Sequence, residues 1–256
     1  MDQRSGKSIT NSVEKMVVLI TGMHSSGTSI VSRYLHFCGV NMMGDREIDH
    51  LGEHFDFRVI SHAILKDSNH HRYSNSFDYK TMITSDSTKA KISHAIQNSI
   101  NGKSHCGFKA PIVSLTLWIW APEIKKKEEK ICIVHVFRNP REVVESFLRR
   151  KTLRDLRWIK TASNKKSKEY LEQVWAVYNQ SVLDFYDQNK DSYKFAFLYA
   201  RDFVKNPKML SNALGIKNGS VTGLLDSSKF IELEKTEFYD KNFRAIWRNL
   251  MDKKLK

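Results

Sequence analysis

The strongest constraint on the fold is an apolar run that leads straight into a polar, glycine-containing turn. Residues Met16–Thr21 (MVVLIT) form a short continuous apolar segment, which is typical of a strand buried on both faces. The segment Gly22-Met23-His24-Ser25-Ser26-Gly27-Thr28-Ser29 follows, and apolar residues then recur at positions 30, 31, 34, 35 and 38, the spacing of a helix with one buried stripe. A strand, a turn and a helix in this order predict the opening of an α/β unit.

Strand and helix patterns alternate again further along the chain. Residues Ile131–Phe137 predict a second buried strand, and Asn139, Pro140 and Glu142 have the spacing of a helix N-terminus. The remaining patterns predict a short strand over 106–109, a long loop over 67–90, a helix over 167–189, a strand over 195–199 and a helix over 203–213. We therefore expect an α/β fold of three layers, a mostly parallel sheet flanked by helices.

The expected domain organisation is simple. Residues 1–14 are polar and predict a flexible arm, and residues 15–256 predict a single α/β domain, a length within the ordinary range for one domain.

The turn at 22–29 has the properties of an anion-binding loop. Gly27 lets the backbone approach a ligand closely, and the amides of Gly27, Thr28 and Ser29 lie at the positive end of the helix dipole. Ser26, Thr28 and Ser29 add hydroxyl donors. The glycine spacing is that of a Walker loop, but Thr28 stands where that loop has its lysine, which disfavours ATP or GTP hydrolysis. A plain strand–helix turn with capping serines is the simpler alternative.

With these residues the sequence resembles the sulfotransferases, most closely the bacterial type, through the string GMHSSGTS. The resemblance implies a P-loop NTPase-like sheet and a donor, 3′-phosphoadenosine-5′-phosphosulfate (PAPS), whose 5′-phosphosulfate binds at residues 25–29. It also implies that Arg138 and Ser146 bind the 3′-phosphate, because the family separates this Arg and Ser by eight positions, as here. Without the resemblance, Arg138 could equally be a solvated or ion-paired arginine.

Three weaker similarities extend the resemblance along the chain. They are Gly52-Glu53-His54-Phe55-Asp56, Gly107-Phe108-Lys109-Ala110-Pro111, and Leu198-Tyr199-Ala200-Arg201-Asp202-Phe203 followed by Asn206-Pro207. By analogy, Tyr199 lies against the adenine, although a core position is equally compatible with its sequence.

The sequence departs from the family at the residue before Ser26-Gly27-Thr28. The family usually has Lys or Arg there, to neutralise the oxygen that the sulfuryl group leaves, and this chain has Ser25. Losing one such group costs about 10²–10³ in rate. Lys109 is the favoured substitute and His24 the second. A second departure lies at residues 109–112, which resemble a K-D-P-R stretch of the family. Here Ala110 stands in place of the acid and Ile112 in place of the arginine.

The acceptor must lose a proton during transfer, and Asp56 occupies the family's acidic position. Asp56 is therefore the expected base, ahead of His54, His50 and His62. His50 and His54 are four apart and could suggest a metal pair, but no third ligand has recognisable spacing, so no metal is expected.

The composition points to an anionic partner. The 256 residues contain 42 Lys and Arg against 28 Asp and Glu, a net charge of +14. Nine of the basic residues lie between 149 and 168, with Asp155 as the single acid. This predicts a solvated surface, a mobile flap over PAPS, or a groove for an acidic acceptor such as a glycan. No nucleic-acid-binding motif appears, so nucleic acid is not expected.

Three cysteines without CxxC spacing and an N-terminus without a signal-like apolar run favour a cytoplasmic protein, with no membrane span. The oligomeric state has no signature in the sequence. Two alternatives to an active sulfotransferase follow from the residues. Ser25 is compatible with a catalytically impaired protein that only binds the nucleotide or a polyanion, and the glycine spacing with an aberrant nucleotide or small-molecule kinase.

Overall fold

The computed structural model describes residues 15–42, 53–100, 105–128, 130–149, 165–219, 238 and 243–256. The arm predicted over residues 1–14 lies outside the described residues. Within the described part, the strands are β1 (Met16–Thr21), β2 (His105–Lys109), β3 (Ile131–Phe137) and β4 (Lys194–Tyr199). They form one parallel sheet in the order β2-β1-β3-β4.

Helices cover both faces of the sheet. In the described residues these are α1 (Thr28–Phe37), α2 (Phe55–Asp67), α3 (Asp86–Ile100), α4 (Val113–Lys125), α5 (Pro140–Leu148), α6 (Lys165–Asn189), α7 (Ala200–Lys205), α8 (Lys208–Leu214) and α9 (Arg244–Lys253). Helices α1, α7 and α8 share a core with Val18 and Ile20 of β1, whereas Val17 and Leu19 face the core built with α2 to α6 and α9. The predicted three-layer α/β fold is confirmed.

The parallel arrangement places the carboxyl ends of all four strands at one edge. Lys109 ends β2, the turn 22–29 follows β1, Arg138 follows β3, and Tyr199 ends β4. In sheet order these groups therefore lie side by side, with the turn between Lys109 and Arg138. Open α/β sheets bind ligands at this edge.

Several predicted boundaries need correction. The helix predicted over 203–213 is two helices, because Pro207 cannot continue α7 and instead precedes α8. The predicted loop over 67–90 is shorter: α3 already begins at Asp86, and a 3₁₀ turn covers Tyr79–Thr81. The helix predicted over 167–189 and the strand predicted over 195–199 start two residues and one residue earlier than expected, at Lys165 and Lys194.

The C-terminal residues close the β4 side of the sheet. After α9, the Leu255 N–H donates to the carbonyl of Phe197 at 2.8 Å, and Lys254 bridges the same residue. This fixes α9 so that Trp247 meets Phe137 and Tyr199 edge-on, with ring centroids 5.8 and 5.6 Å away. Across the described residues, no helix is both long enough and apolar enough to cross a bilayer.

Candidate nucleotide-binding site

The turn after β1 is held against its neighbours from its first residue. Gly22 has φ +139°, and a Cβ there would lie 2.3 Å from the carbonyl oxygen of Val136 on β3. Its N–H donates to Oγ of Ser114, in the first turn of α4, at 2.8 Å. Only glycine combines this dihedral angle with this close approach, so the turn starts at a fixed point of the sheet.

The centre of the turn exposes the start of α1 and encloses two hydroxyls. Ser25 and Gly27 both have positive φ, +72° and +100°, and Ser26 N–H closes the turn onto the Met23 carbonyl at 3.1 Å. Oγ of Ser25 and Oγ of Ser26 are buried and have no hydrogen-bond partner among the described residues. Buried hydroxyls normally have partners, so two unsatisfied donors at a helix N-terminus fit an anion well.

Lys109 reaches this turn from β2. The side chain is 2% exposed, and Nζ lies 3.1 Å from Oγ of Ser29 in the first turn of α1. Nζ also donates to Oε1 of Glu53 at 3.3 Å. Lys109, which the sequence proposes as the substitute cation, therefore lies beside the turn, and its ion pair with Glu53 has no signal in the sequence.

The two residues that precede α2, Glu53 and His54, face different surroundings. His54 N–H donates to the Lys109 carbonyl at 2.9 Å, which holds the residues before α2 against the end of β2. In extended backbone successive side chains point to opposite sides. Glu53 accordingly meets Lys109, whereas the His54 ring packs on Phe57 and Phe108.

Asp56, the expected base, lines a cavity of about 300 Å³ between α2 and α3. It shares this cavity with His54, Lys91 and His94. Among the described contacts, the carboxylate that touches Lys109 is that of Glu53.

Arg138 connects the turn to the end of β3. Its guanidinium is buried, donates from Nε to Oε2 of Glu142 at 2.5 Å, and approaches the Ser25 carbonyl at 3.5 Å. Arg201, at the start of α7, donates to the other oxygen of Glu142 at 2.6 Å. The main chain at Arg138 is also held, because Trp175 Nε1 donates to its carbonyl at 3.2 Å.

The two remaining residues that the sequence predicts to contact the nucleotide, Ser146 and Tyr199, lie on α5 and at the end of β4. Ser146 is half-buried on α5, two turns beyond Arg138. Tyr199 is also partly buried, and its ring stacks on Phe137 at 5.6 Å and meets the edge of Trp247. Burial raises the pKa of Tyr199 above its ordinary value. Its aromatic surroundings suit either role predicted from the sequence, adenine contact or core packing.

His24 is placed on the inner side of the turn, against aromatic residues. Its ring lies 6.0 Å from Tyr73 and 6.4 Å from Tyr178, centroid to centroid. Of the other histidines considered, His62 lies within α2 and His50 lies outside the described residues. Within the described residues, no three potential metal ligands come together.

A buried histidine, His135, contacts the last residue of β1, directly before the turn. His135 lies in β3, and its Nδ1 accepts from Oγ1 of Thr21, the last residue of β1, at 3.0 Å. Its Nε2 donates to Oδ1 of Asn179 on α6 at 3.0 Å; this tautomer is inferred because Asn179 uses its amide NH₂ to donate to the Trp175 carbonyl. Burial lowers the pKa of His135 to about 4, so the ring is neutral at physiological pH.

The basic segment is described only at its two ends. Residues 150–164 lie outside the described residues. At the far end, Lys168 pairs with Glu145 of α5 at 2.7 Å, and Lys165 approaches Glu169 at 3.7 Å. Part of the charge that the sequence concentrates here is therefore balanced locally.

Solved structures similar to this chain include two sulfotransferase domains. A sulfotransferase domain from the curacin biosynthetic pathway has a TM-score of 0.49 and 16% identity, over 93% of this chain and 97% of that domain. A sulfotransferase domain from the Synechococcus PCC 7002 olefin synthase has a TM-score of 0.44 and 18% identity, over 98% and 90%. No protein-family model and no curated protein matches the sequence. Likenesses this distant carry no functional argument, so the function rests on the site itself.

Proposed function

We propose that this protein is a PAPS-dependent sulfotransferase. The observation that carries the proposal is the contact between Nζ of Lys109 and Oγ of Ser29, which brings a buried cation to a helix N-terminus. The unsatisfied hydroxyls of Ser25 and Ser26 lie in the same turn. A cation, two hydroxyl donors and a helix dipole at one point form a strong binding site for a phosphate or sulfate ester.

The two halves of the site suit the two ends of the donor. Residues 25–29 would hold the 5′-phosphosulfate, and Arg138 with Ser146 the 3′-phosphate. The donor supplies a sulfuryl group, which passes to a hydroxyl or amine by in-line displacement, leaving 3′-phosphoadenosine-5′-phosphate (PAP). Arg138 also approaches the Ser25 carbonyl, so the two halves are in direct contact.

Lys109 would supply the positive charge that is missing at position 25, where this chain has a serine. Its ammonium group lies at the turn and would stabilise the negative charge on the phosphate oxygen that is released. Such electrostatic stabilisation is often the largest catalytic contribution. Because Lys109 is 2% exposed, little water screens its charge.

We assign the role of base to Glu53 rather than to Asp56. Glu53 is 4% exposed and lies 3.3 Å from Nζ of Lys109, so an acceptor positioned for attack at the turn would come within its reach. A base must be within hydrogen-bond distance of the proton that it removes. Asp56 faces the cavity between α2 and α3 instead.

The acceptor is proposed to be acidic, for example a glycan that already carries negative charge. The support is the concentration of nine basic residues between 149 and 168, directly after the helix that carries Ser146. A field of one sign concentrates ligands of the opposite sign near the site.

A second candidate is a protein that binds the nucleotide but transfers little. Ser25 supports it, together with the ion pair between Lys109 and Glu53, which already neutralises the cation that catalysis would need. A kinase is disfavoured because Thr28 replaces the Walker lysine.

Sulfate transfer from radiolabelled PAPS to a panel of hydroxyl and amine acceptors, acidic glycans included, tests the proposal. Wild-type turnover that Lys109→Met abolishes would support the enzyme. Binding without turnover, with turnover gained in Ser25→Arg, would support the impaired protein. Magnesium-dependent ATP binding in preference to PAP would support the kinase instead.

A further inference from the structure

An ion-paired cluster at the ends of β3 and β4 joins two arginines through one carboxylate. Glu142, in the first turn of α5, binds Nε of Arg138 through Oε2 and a terminal nitrogen of Arg201 through Oε1. Its side chain is 1% exposed, that of Arg138 5%, and that of Arg201 23%. The carboxylate is thus enclosed, while Arg201 stays accessible from outside.

The position of Arg201 follows from the sheet. Phe137 and Tyr199 are register partners on neighbouring strands, so Arg138 and Arg201 start one and two residues beyond the same rung. Neighbouring strands are about 4.8 Å apart, so two long side chains that share a carboxylate at this edge lie within reach of a single phosphate group. The three side chains together carry two positive charges and one negative charge.

We propose that Arg201 is a second arginine ligand of the 3′-phosphate, and that Glu142 is the positioning residue that holds both guanidinium groups for it. This inference rests on the proposed function. Two arginines bind a phosphate with more donors and better fixed geometry than one. Arg201 therefore determines specificity for a nucleotide phosphorylated at the 3′ position.

In this proposal Glu142 does not touch the ligand but orients the two guanidinium groups that bind it. Two guanidinium groups repel each other in a buried setting, and a shared carboxylate offsets that repulsion before the ligand arrives. The ligand then meets groups that are already oriented, which lowers the entropic cost of binding.

PAP and adenosine 5′-monophosphate (AMP) differ only in the 3′-phosphate. Calorimetric titration with each therefore measures how much this phosphate contributes to the binding affinity. We expect Arg201→Gln to weaken PAP binding by about 10- to 100-fold, the range for a hydrogen bond to a charged group, and to leave AMP binding unchanged. Arg201→Lys should recover part of the loss, because a lysine keeps the charge but not the fork of donors. Arg33 is an exposed arginine of α1, so Arg33→Gln is the matched control. This variant should bind both nucleotides with the same affinity as the wild-type protein.

The outcomes distinguish the inference from the function on which it rests. If wild-type protein does not prefer PAP to AMP, the proposed function fails. If wild type prefers PAP and Arg201→Gln keeps that preference, the inference alone fails. If Arg201→Gln lowers the melting temperature and weakens the binding of PAP and AMP equally, the ion pair is structural. That result would also overturn the inference.

Discussion

Nζ of Lys109 lies 3.1 Å from Oγ of Ser29, which joins the end of β2 to the first turn of α1 across the sheet edge. The same ammonium group binds Glu53 at 3.3 Å. A buried lysine, a buried carboxylate and a helix N-terminus thus meet at one point. This relationship links the stability of the site to its proposed chemistry.

The first prediction concerns the buried ion pair. Lys109→Met should lower the free energy of unfolding by about 3–5 kcal/mol, because it leaves Glu53 charged, buried and without this partner. The double variant Lys109→Met/Glu53→Gln should recover most of that loss, since neither charge remains. Urea denaturation measures both. A single variant as stable as wild type would show that the pair is not buried as described.

The second prediction separates the two candidate bases. Glu53→Gln should lower kcat by about 10²–10⁴, the usual contribution of a general base, while PAP binding persists. Asp56→Asn is the matched control, and its kcat should stay close to wild type because Asp56 lines a different cavity. Steady-state rates on one acceptor decide between them. The opposite ranking would return the role to Asp56.

The third prediction concerns acid stability. The pKa of His135 is about 4 in the folded protein, below the ordinary value of 6.5, so the unfolded chain binds the proton more tightly. The free energy of unfolding should therefore fall as the pH drops below 6.5 and stop falling below about 4. The full loss from this group is roughly 3 kcal/mol, at 1.36 kcal/mol for each pKa unit.

Chemical denaturation at a series of pH values measures this dependence. His135→Gln, which has no proton to bind in this range, should show a flatter profile than wild type between pH 6.5 and 4. Parallel profiles for the two proteins would assign the acid loss to other groups.

The fourth prediction concerns the start of the turn. Gly22→Ala should destabilise the protein more than Gly39→Ala, by about 1–3 kcal/mol, the usual cost of overpacking. Both glycines have positive φ, but a Cβ at Gly22 meets the Val136 carbonyl at 2.3 Å, whereas one at Gly39 meets no heavy atom within 4 Å. Thermal unfolding of both variants measures the difference. Equal losses would mean that backbone strain alone matters at Gly22.

The sequence predicted the parts of this fold that local patterns determine. The apolar runs of β1 and β3 and the glycine turn between β1 and α1 lie within short stretches, so their spacing alone identifies them. Helix α4 was not predicted, because it is apolar almost all round and contains Pro122, so it shows no single stripe.

Motifs in the sequence predict candidate site residues, but they do not predict the contacts that the fold makes between distant residues. Lys109 ends β2 and Arg138 follows β3, and the two residues lie on either side of the turn. The contact of Glu53 with Lys109 has no signal in the sequence, because it accompanies the hydrogen bond between His54 and Lys109, which joins residues 55 positions apart. The link from Arg138 through Glu142 to Arg201 likewise depends on strand register, and no local pattern reports it.

Calorimetric titration of the full chain with PAP tests the central claim most directly. We predict binding of one PAP per chain with roughly micromolar affinity, tighter than AMP, and a loss of about tenfold or more in Arg138→Ala, since that arginine would bind the 3′-phosphate. Absence of PAP binding, or equal affinity in wild type and Arg138→Ala, would contradict the assignment of this site to PAPS.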